Sequence, residues 1–445
     1  MKAIRIGGGA GYAGDRIEPA LDLMEKGNLD YIIFECLAER TIALAQKEKQ
    51  KNPSKGYNPL LEYRMEKVLP LYISKDCRVI TNMGAANPVG AARAVKEMAL
   101  KLGLRNLKIA AVTGDDVFLN IEQYLDSTIM ETGMPLRERY PDIISANAYI
   151  GAEGIVRALK EGAHIIITGR ASDPSLTVAP LIHEFGWEWT DYERLGQATA
   201  AGHLLECGAQ VTGGYFAEPG YKDVPELWNA GFPILEFNEN GNFIVSKLDE
   251  AGGLVSTATV KEQLLYEIHD PESYLTPDVI ADFSHATVEE ISPNNILIKG
   301  ISGNRKSGYY KTSVGYQDGY IVEAEISYGG SGCMNRAKLA EEIVRKRIPY
   351  TNLPYEELKI DYIGNSSLYG EKTSINLIPE VRLRVAARCE ERKEAMAIGQ
   401  EVEALYTNGP AGGGGVRVHV EEVISIASIL IPEADVRVDV VYEEL

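Results

Sequence analysis

Short, almost wholly apolar runs alternate with longer stretches of helical periodicity through the first half of the chain. The runs are Ala3–Ile6, Asp30–Cys36, Arg78–Asn82, Lys108–Thr113 and His164–Thr168, and each ends in polar, glycine-containing text. Amphipathic segments such as Gly90–Leu102 and Gly151–Lys160 lie between them. Apolar strands separated by helices predict a parallel sheet buried on both faces, with ligands bound at the strands' carboxyl ends. From about Gly213 the pattern changes to paired strands, beginning with Phe232–Phe237 and Phe243–Lys247 around an Asn240-Gly241 turn. Further strands are expected at Thr287–Ile291, Asn295–Lys299, Tyr309–Tyr316 and Tyr320–Tyr328. The last part predicts helices over Met334–Arg347 and Glu390–Tyr406, with strands near Leu358–Ile363, Val381–Ala387, Val416–Val420 and Val436–Val441. The predicted class is α/β: a parallel sheet with flanking helices in the N-terminal half, plus an α+β second domain rich in antiparallel strands. The expected boundary divides residues 1–212, Rossmann-like, from 213–445.

Composition narrows the function classes. The 445 residues, 45% of them hydrophobic, suit a large buried core. A net charge of -19 excludes a broad nucleic-acid surface, which needs basic patches. No apolar stretch is long enough to span a membrane, and the N-terminus enters a strand pattern without a signal-peptide core, so a cytoplasmic enzyme is expected. Cys36, Cys77, Cys207, Cys333 and Cys389 are dispersed and form no CxxC pair, which argues for reduced thiols rather than zinc or disulfides.

Seven segments carry candidate chemistry. Gly9, Gly11 and Gly14 match G-x-G-x-x-G between a strand and a helix, with Glu35 near the position of a ribose-binding acid. A tight turn without a nucleotide is the competing reading. Asp15 and Arg16 follow these glycines and place a carboxylate and a guanidinium at the cleft mouth. Asn82 and Asn87 in TNMGAANP can orient a polar substrate, or form an Asn-Pro turn that starts a helix. Asp115 and Asp116 end a strand and suit a general base, a divalent metal or a helix cap. Asn147 and Tyr149 lie in an expected loop. Arg170, at the end of the fifth run, suits a carboxylate or phosphate, with Asp173 as its ion-pair partner or a catalytic acid. His203, Glu206 and Cys207 share one helix face at i, i+3 and i+4, a spacing that suits an acid/base pair beside a thiol. The run Gly412–Gly415 implies a backbone pressed against another surface, or a surface loop.

Taken together, GGGAGYAGDR, TNMGAANP, AVTGDD, SANAYIGA, TGRASDPSLTVAPLIHEFGW, AGHLLECGAQVTGG and GGLVSTATVKEQLLYEIHDPESYLTPDV resemble the acyclic terpene utilisation AtuA family. The family name comes from bacterial breakdown of branched terpenoids through acyl-CoA thioesters, so the resemblance implies a CoA thioester or carboxylate substrate. Many members have an additional small ferredoxin-like domain or a separate protein of that kind. The chain closes on a strand pattern at Glu444-Leu445, so that addition is expected to be missing and a separate small subunit is a candidate partner, alongside a homo-oligomer. The leading expectation is acid/base chemistry of hydratase, dehydratase or lyase type. Asp15, Asp115, Asp116, Asp173, His203 and Glu206 are then the acids and bases. Gly9, Gly11, Gly14, Arg16, Asn82, Asn87, Asn147 and Arg170 are the binding groups. An NAD(P)-dependent oxidoreductase and a non-catalytic assembly subunit are the alternatives. Residues are not committed to a metal, although a divalent ion remains an option.

Overall fold

The computed structural model of the chain describes residues 2–368, 370 and 379–445. These fall into two compact units: the chain up to Gly315 together with Ile426–Leu445, and Tyr316–Ser425.

The first unit begins with β1 (Ala3–Ala10), α1 (Glu18–Lys26), β2 (Tyr31–Phe34), α2 (Glu39–Lys51), α3 (Leu61–Lys75), β3 (Arg78–Thr81), α4 (Pro88–Lys101) and β4 (Lys108–Thr113). It continues with β5 (Ile143–Ala148), α5 (Glu153–Lys160), β6 (Ile165–Thr168), α6 (Ser175–Phe185) and α7 (Tyr192–Glu206). Then come β7 (Ile234–Asn238), β8 (Phe243–Ser246), α8 (Thr257–Leu264), β9 (Tyr274–Leu275), β10 (Ile280–Asp282), β11 (Thr287–Ser292), β12 (Asn295–Lys299) and β13 (Ser302–Asn304). Its sheet runs β11-β12-β8-β7-β1-β2-β3-β6-β4, and the chain's last strand, β18 (Asp439–Glu444), closes it beside β4. The pairs β1–β2, β2–β3, β3–β6 and β4–β6 are parallel. Tyr31–Phe34 and Ile165–Thr168 are buried at every position, as strands covered by helices on both faces must be.

Three expectations are corrected here. Gly7, Gly8 and Gly9 lie inside β1 rather than in the turn after it. A Cβ on Gly8 would sit 2.9 Å from the Leu205 carbonyl oxygen, and one on Gly9 2.7 Å from the Phe34 ring. These glycines therefore let α7 and β2 pack against the strand. Residues from Gly213 onwards also do not separate from the N-terminal half at 212. β7 pairs antiparallel with β1 from Ala3↔Asn238 to Gly7↔Ile234, and β8 and β12 extend the same sheet. The hairpin at Asn240-Gly241 forms as its sequence predicts, with Gly241 at φ +87°. Ser145–Ala148, expected as loop, belongs to β5, which pairs with β14 (Tyr309–Gly329).

The second unit contains the later part of β14, then α9 (Cys333–Tyr350), β15 (Glu357–Ile363), β16 (Glu380–Cys389), α10 (Arg392–Glu403), α11 (Leu405–Asn408) and the start of β17 (Gly414–Pro432). The strands Tyr309–Tyr316 and Tyr320–Tyr328 are thus one continuous strand. The sheet order is β15-β16-β14-β17, with β16 antiparallel to both neighbours. Ala337, Ala340, Val344 and Ile348 of α9, with Ala395, Ile398 and Val402 of α10, pack on the alternate residues Val322, Ala324, Ile326, Leu383 and Val385. A β-α-β-β-α-β chain in this strand order is the ferredoxin-like plan. That plan therefore occurs within the chain, ahead of β18. Gly413 packs on its own unit, since a Cβ there would lie 2.9 Å from Ile326.

Candidate active site

The parallel strands of the first unit end at Ala10, Phe34, Thr81, Thr113 and Thr168, and the polar segments after them meet. After β1 the chain turns tightly. Gly11 donates its amide to Asp15 Oδ2 at 2.9 Å, and Arg16 donates its amide to Asp15 Oδ1 at 2.8 Å. A Cβ on Gly11 would lie 2.3 Å from the Cys207 carbonyl carbon, so this glycine is required by the end of α7. Arg64, buried on α3, donates from Nη2 to the carbonyls of Ala13 (3.1 Å) and Asp15 (2.8 Å) and holds the turn from beneath. Sequence reasoning passed over Arg64, because its periodic position reads as one charge on an amphipathic helix.

After β2, the buried Glu35 accepts from the Leu37 amide at 2.8 Å and from Asn82 Nδ2 at 2.9 Å. Asn82 also accepts from the Cys36 amide at 2.7 Å, so it ties the ends of β2 and β3 together. After β4, Asp115 Oδ2 accepts from the Arg170 amide (2.9 Å) and from Asn147 Nδ2 (2.8 Å). The Arg170 guanidinium is buried. It donates to the Leu37 carbonyl and to Asp173 Oδ1, and it lies 4.2 Å from the centre of the Tyr149 ring. Its Nε has no hydrogen-bond partner. Asp173 keeps 31% of its side chain exposed and is the solvent-facing member of this pair.

His203 and Glu206, on the last turns of α7, form the second centre. Their i, i+3 spacing brings His203 Nδ1 within 2.8 Å of Glu206 Oε1. Tyr274 and Phe283 cover the imidazole at centroid distances of 5.6 and 6.1 Å. The pair's other polar atoms, His203 Nε2 and Glu206 Oε2, are buried and have no hydrogen-bond partner among the described residues. A buried polar atom left unpaired costs about 1–3 kcal/mol, so this pair is a candidate for chemistry rather than a source of stability.

The electrostatics follow from burial. Desolvation, then repulsion from Asp173, pushes the Glu35 carboxyl up to about 8 against the pull of Arg170. Desolvation raises Glu206 to about 7 despite His203, with Asp173 and Glu267 adding to the rise. Asp115 rises to about 6 for the same first reason, although the Arg170 amide and Asn147 oppose it. Burial pulls His203 down, but the charge and hydrogen bond of Glu206 outweigh it and the imidazole is raised. Several carboxyl groups therefore hold or share protons near neutrality, as acid/base catalysis requires. The Cys207 thiol is pushed up by burial and then by Glu206, which makes it a poor nucleophile.

The structure brings Asp115, Asn147, Arg170 and Asp173 into one network joined to Glu35 and Asn82, and it sets Glu206 within electrostatic reach of Asp173. Other candidates lie elsewhere. Asn87 caps α4 by accepting from the Gly90 amide and donates to the carbonyls of Pro53 and Lys55. Asp116, by contrast, stays beside the network: Gln46 Nε2 donates to it at 2.9 Å and to Asn147 Oδ1 at 3.2 Å, and Asp116 also accepts from the Phe118 amide. Arg16 is exposed and donates to the Trp228 carbonyl, beside a shallow cleft with Glu18, Asp22 and Leu23. Gly9 lies within a strand, and Gly14 packs on Tyr12. A pyrophosphate on the glycine turn would need the Gly11 amide that Asp15 already occupies, and α1 starts only at Glu18. The geometry thus lends little to the nicotinamide reading. Among the described residues, no group of three or more His, Cys, Asp or Glu side chains is arranged to hold a metal ion. Nor is any helix among them long and apolar enough to cross a membrane.

Comparison with known proteins gives one positive finding. The family model described as "Acyclic terpene utilisation family protein AtuA" matches residues 4–442. A search of curated proteins gave no match.

Proposed function

Because the chain belongs to the acyclic terpene utilisation family AtuA, we propose that it is a catabolic enzyme acting on a small carboxylate or an acyl-CoA thioester by proton transfer, in the manner of a hydratase, dehydratase or lyase. The observation that carries this reading is the buried His203–Glu206 pair, whose Nε2 and Oε2 atoms have no protein partner. Glu206 fixes the imidazole through Nδ1 and leaves Nε2 to take a proton. In a dehydration of this kind, a base removes a proton from the carbon beside the carbonyl. An acid then protonates the departing hydroxyl oxygen, which leaves as water while the double bond forms. Hydration is the reverse.

His203 Nε2 is the base in this scheme. Asp173, within electrostatic reach of Glu206, is the acid in this scheme, raised by burial although Arg170 pulls it down. Glu35 and Asp115 hold Arg170 and its loop in place. Enclosure by Tyr274 and Phe283 keeps water from the imidazole and strengthens each charge interaction.

The test is deuterium exchange from heavy water into the carbon next to the carbonyl, across a panel of carboxylates and acyl-CoA thioesters, read by mass spectrometry. His203→Asn and Glu206→Gln should each lower exchange by about a hundredfold or more while the melting temperature holds. Exchange that survives both substitutions, or is absent from the wild-type chain across the panel, removes the proposal.

A further inference from the structure

In the first unit, β2, β3, β6 and β4 lie side by side, and pairing at their amino ends sets Tyr31 beside Arg78, Arg78 beside His164 and His164 beside Lys108. The Val79 amide donates to the His164 carbonyl at 3.0 Å, and the His164 amide donates to that of Lys108 at 2.9 Å. The next residues along, Ile32, Val79, Ile165 and Ile109, all join the core beneath α1, α3 and α4. By alternation the four polar side chains share the opposite face, at the rim of the sheet. A guanidinium, an imidazole and an ammonium thus stand in one row of a chain whose net charge is -19. Arg78 is the unusual member. Its Nη1 donates to the Tyr31 hydroxyl at 3.2 Å and meets His183 Nε2 at 3.5 Å, and among the described residues no carboxylate pairs with it. Nε and Nη2, the fork that grips an oxyanion, donate to no described residue. Glu184 is engaged by Lys2 at 2.8 Å and by the Tyr31 hydroxyl at 2.6 Å, and Asp76 is exposed. Lys108 pairs with Glu444 at 3.3 Å, and Lys160 sits in the last turn of α5, where a helix end favours a cation. His164 supplies a further donor, because the Lys108 amide donates to its Nδ1 at 3.0 Å and the neutral ring therefore carries its proton on Nε2.

We infer that this rim binds a tetrahedral dianion, inorganic phosphate or the phosphate of a small monoester, on the Nε–Nη2 fork of Arg78 with His164 Nε2 as a third donor. Neighbouring strands run about 4.8 Å apart, so one anion spans the two side chains. The fork matches two oxygens of a phosphate, which is the geometry that distinguishes a guanidinium from a point charge. The rim lies at the amino ends of β3 and β6, whereas the candidate active site lies at their carboxyl ends, so this ligand is distinct from the substrate of the acid/base reading. The surroundings agree. Burial and then the Arg78 charge hold the His164 imidazole low, with Lys108 adding to them and Asp76 opposing. Burial also holds His183 low, where Glu184 pulls upward and Arg78, Lys160 and Lys2 push down. Tyr31 and Tyr72 are both raised and stay neutral. An anion on Arg78 relieves its repulsion of the imidazoles, so binding takes up protons and tightens as pH falls.

Calorimetric titration of the full chain with sodium sulfate, at ionic strength held constant with sodium chloride, tests this. Sulfate is the probe because it stays a dianion at every pH used. One saturable site per chain should appear, about threefold or more tighter at pH 6 than at pH 8. Arg78→Gln should weaken it about tenfold or more. His164→Gln keeps an oxygen for the Lys108 amide, and it should weaken binding about threefold and flatten the pH dependence. Arg345→Gln, a surface arginine of α9 paired with Glu341, should leave the affinity unchanged and separates a site from general charge screening. Inorganic phosphate should compete with sulfate in the wild-type chain. The inference is overturned by no saturation at about 20 mM sulfate, by an affinity that ignores pH, by a loss in Arg345→Gln as large as that in Arg78→Gln, or by sulfate binding that His164→Gln leaves untouched. The last outcome decides the matter even where Arg78→Gln does not fold.

Discussion

Replacing the buried pair with neutral amides, His203→Gln together with Glu206→Gln, converts its electrostatics into a measurable stability slope. Glu206 titrates near 7 in the folded chain against an ordinary 4.5, and His203 is also raised, from 6.5. At pH 7 Glu206 is therefore about half protonated in the folded chain and ionised in the unfolded one, and the upward shift of His203 acts in the same direction. Folding takes up at least about half a proton, so stability falls as pH rises by at least ~0.7 kcal/mol per pH unit near neutrality. The sign follows from both shifts being upward. For Glu206 the stabilisation is complete below 4.5 and is lost as pH rises through about 7. For His203 it is complete below 6.5 and is lost as pH rises through the higher folded value. The amide variant lacks this slope, so the stability of the wild type relative to the variant should decrease by at least ~1 kcal/mol between pH 6 and 8. Urea unfolding followed by tryptophan fluorescence is a suitable assay. Trp187, Trp189 and Trp228 all lie in the first unit, so the signal reports the unit that contains the pair. Parallel stability curves for the two proteins across that range would show that no proton is shared, and would refute the proposed state of the site.

Three further outcomes are expected. Gly11→Ala places a Cβ 2.3 Å from the Cys207 carbonyl carbon, so the turn must move off α7; urea unfolding should show a loss of ~2 kcal/mol or more, and a fully stable variant would contradict the packing. Asp278→Ala removes the acceptor for the Ala152 amide at 2.9 Å and the Ser175 hydroxyl at 2.5 Å, which starts both α5 and α6. A loss of ~2–4 kcal/mol is expected by the same measurement, and an unchanged midpoint would show that water replaces the carboxylate. Asp115→Asn keeps an oxygen for both donors, because the Arg170 amide and Asn147 converge on Oδ2. Since Asp115 is raised from 3.8 to about 6, wild-type stability is highest at low pH and is lost as pH rises through about 6. The variant should therefore gain on the wild type by ~2 kcal/mol between pH 4.5 and 7.5 in thermal melts, and no relative gain would count against a buried carboxylate there.

Much of the fold was legible because burial on two faces leaves an unmistakable run. Ile32-Ile33-Phe34 and Ile165-Ile166-Ile167 have no polar face, so a covered parallel strand is the only economical reading. The glycines of β1 misled for a physical reason. A glycine that admits a neighbouring helix and one that turns the chain look alike in the sequence, and only the approach of Leu205 and Phe34 tells them apart. The boundary near residue 212 failed on a related point. The switch from alternating β and α to paired strands is real, but antiparallel β7 joins the existing sheet through β1 instead of starting another. Local pattern identifies a strand, whereas the neighbour it pairs with depends on contacts distant in sequence.

The site divides along the same line. His203–Glu206 was legible as a pair because i, i+3 spacing on α7 sets the two side chains side by side on one turn, whereas Arg170–Asp173 was legible only as opposite charges close together after a strand end. Their joint behaviour was not, because it depends on charges far apart in the chain. Glu35 is raised by Asp173, and Glu206 by Asp173 and by Glu267, a residue beyond α8 with a left-handed φ of +59°. No one of these carboxylates is unusual by itself. Gathered around one ion-paired guanidinium and one histidine, they cannot all ionise at neutral pH, and the protons they retain are what acid/base chemistry at this site would use. On the proposed reading, catalytic capacity would belong to the assembled cluster rather than to any one residue, with the unpartnered Nε2 of His203 as the atom that meets the substrate.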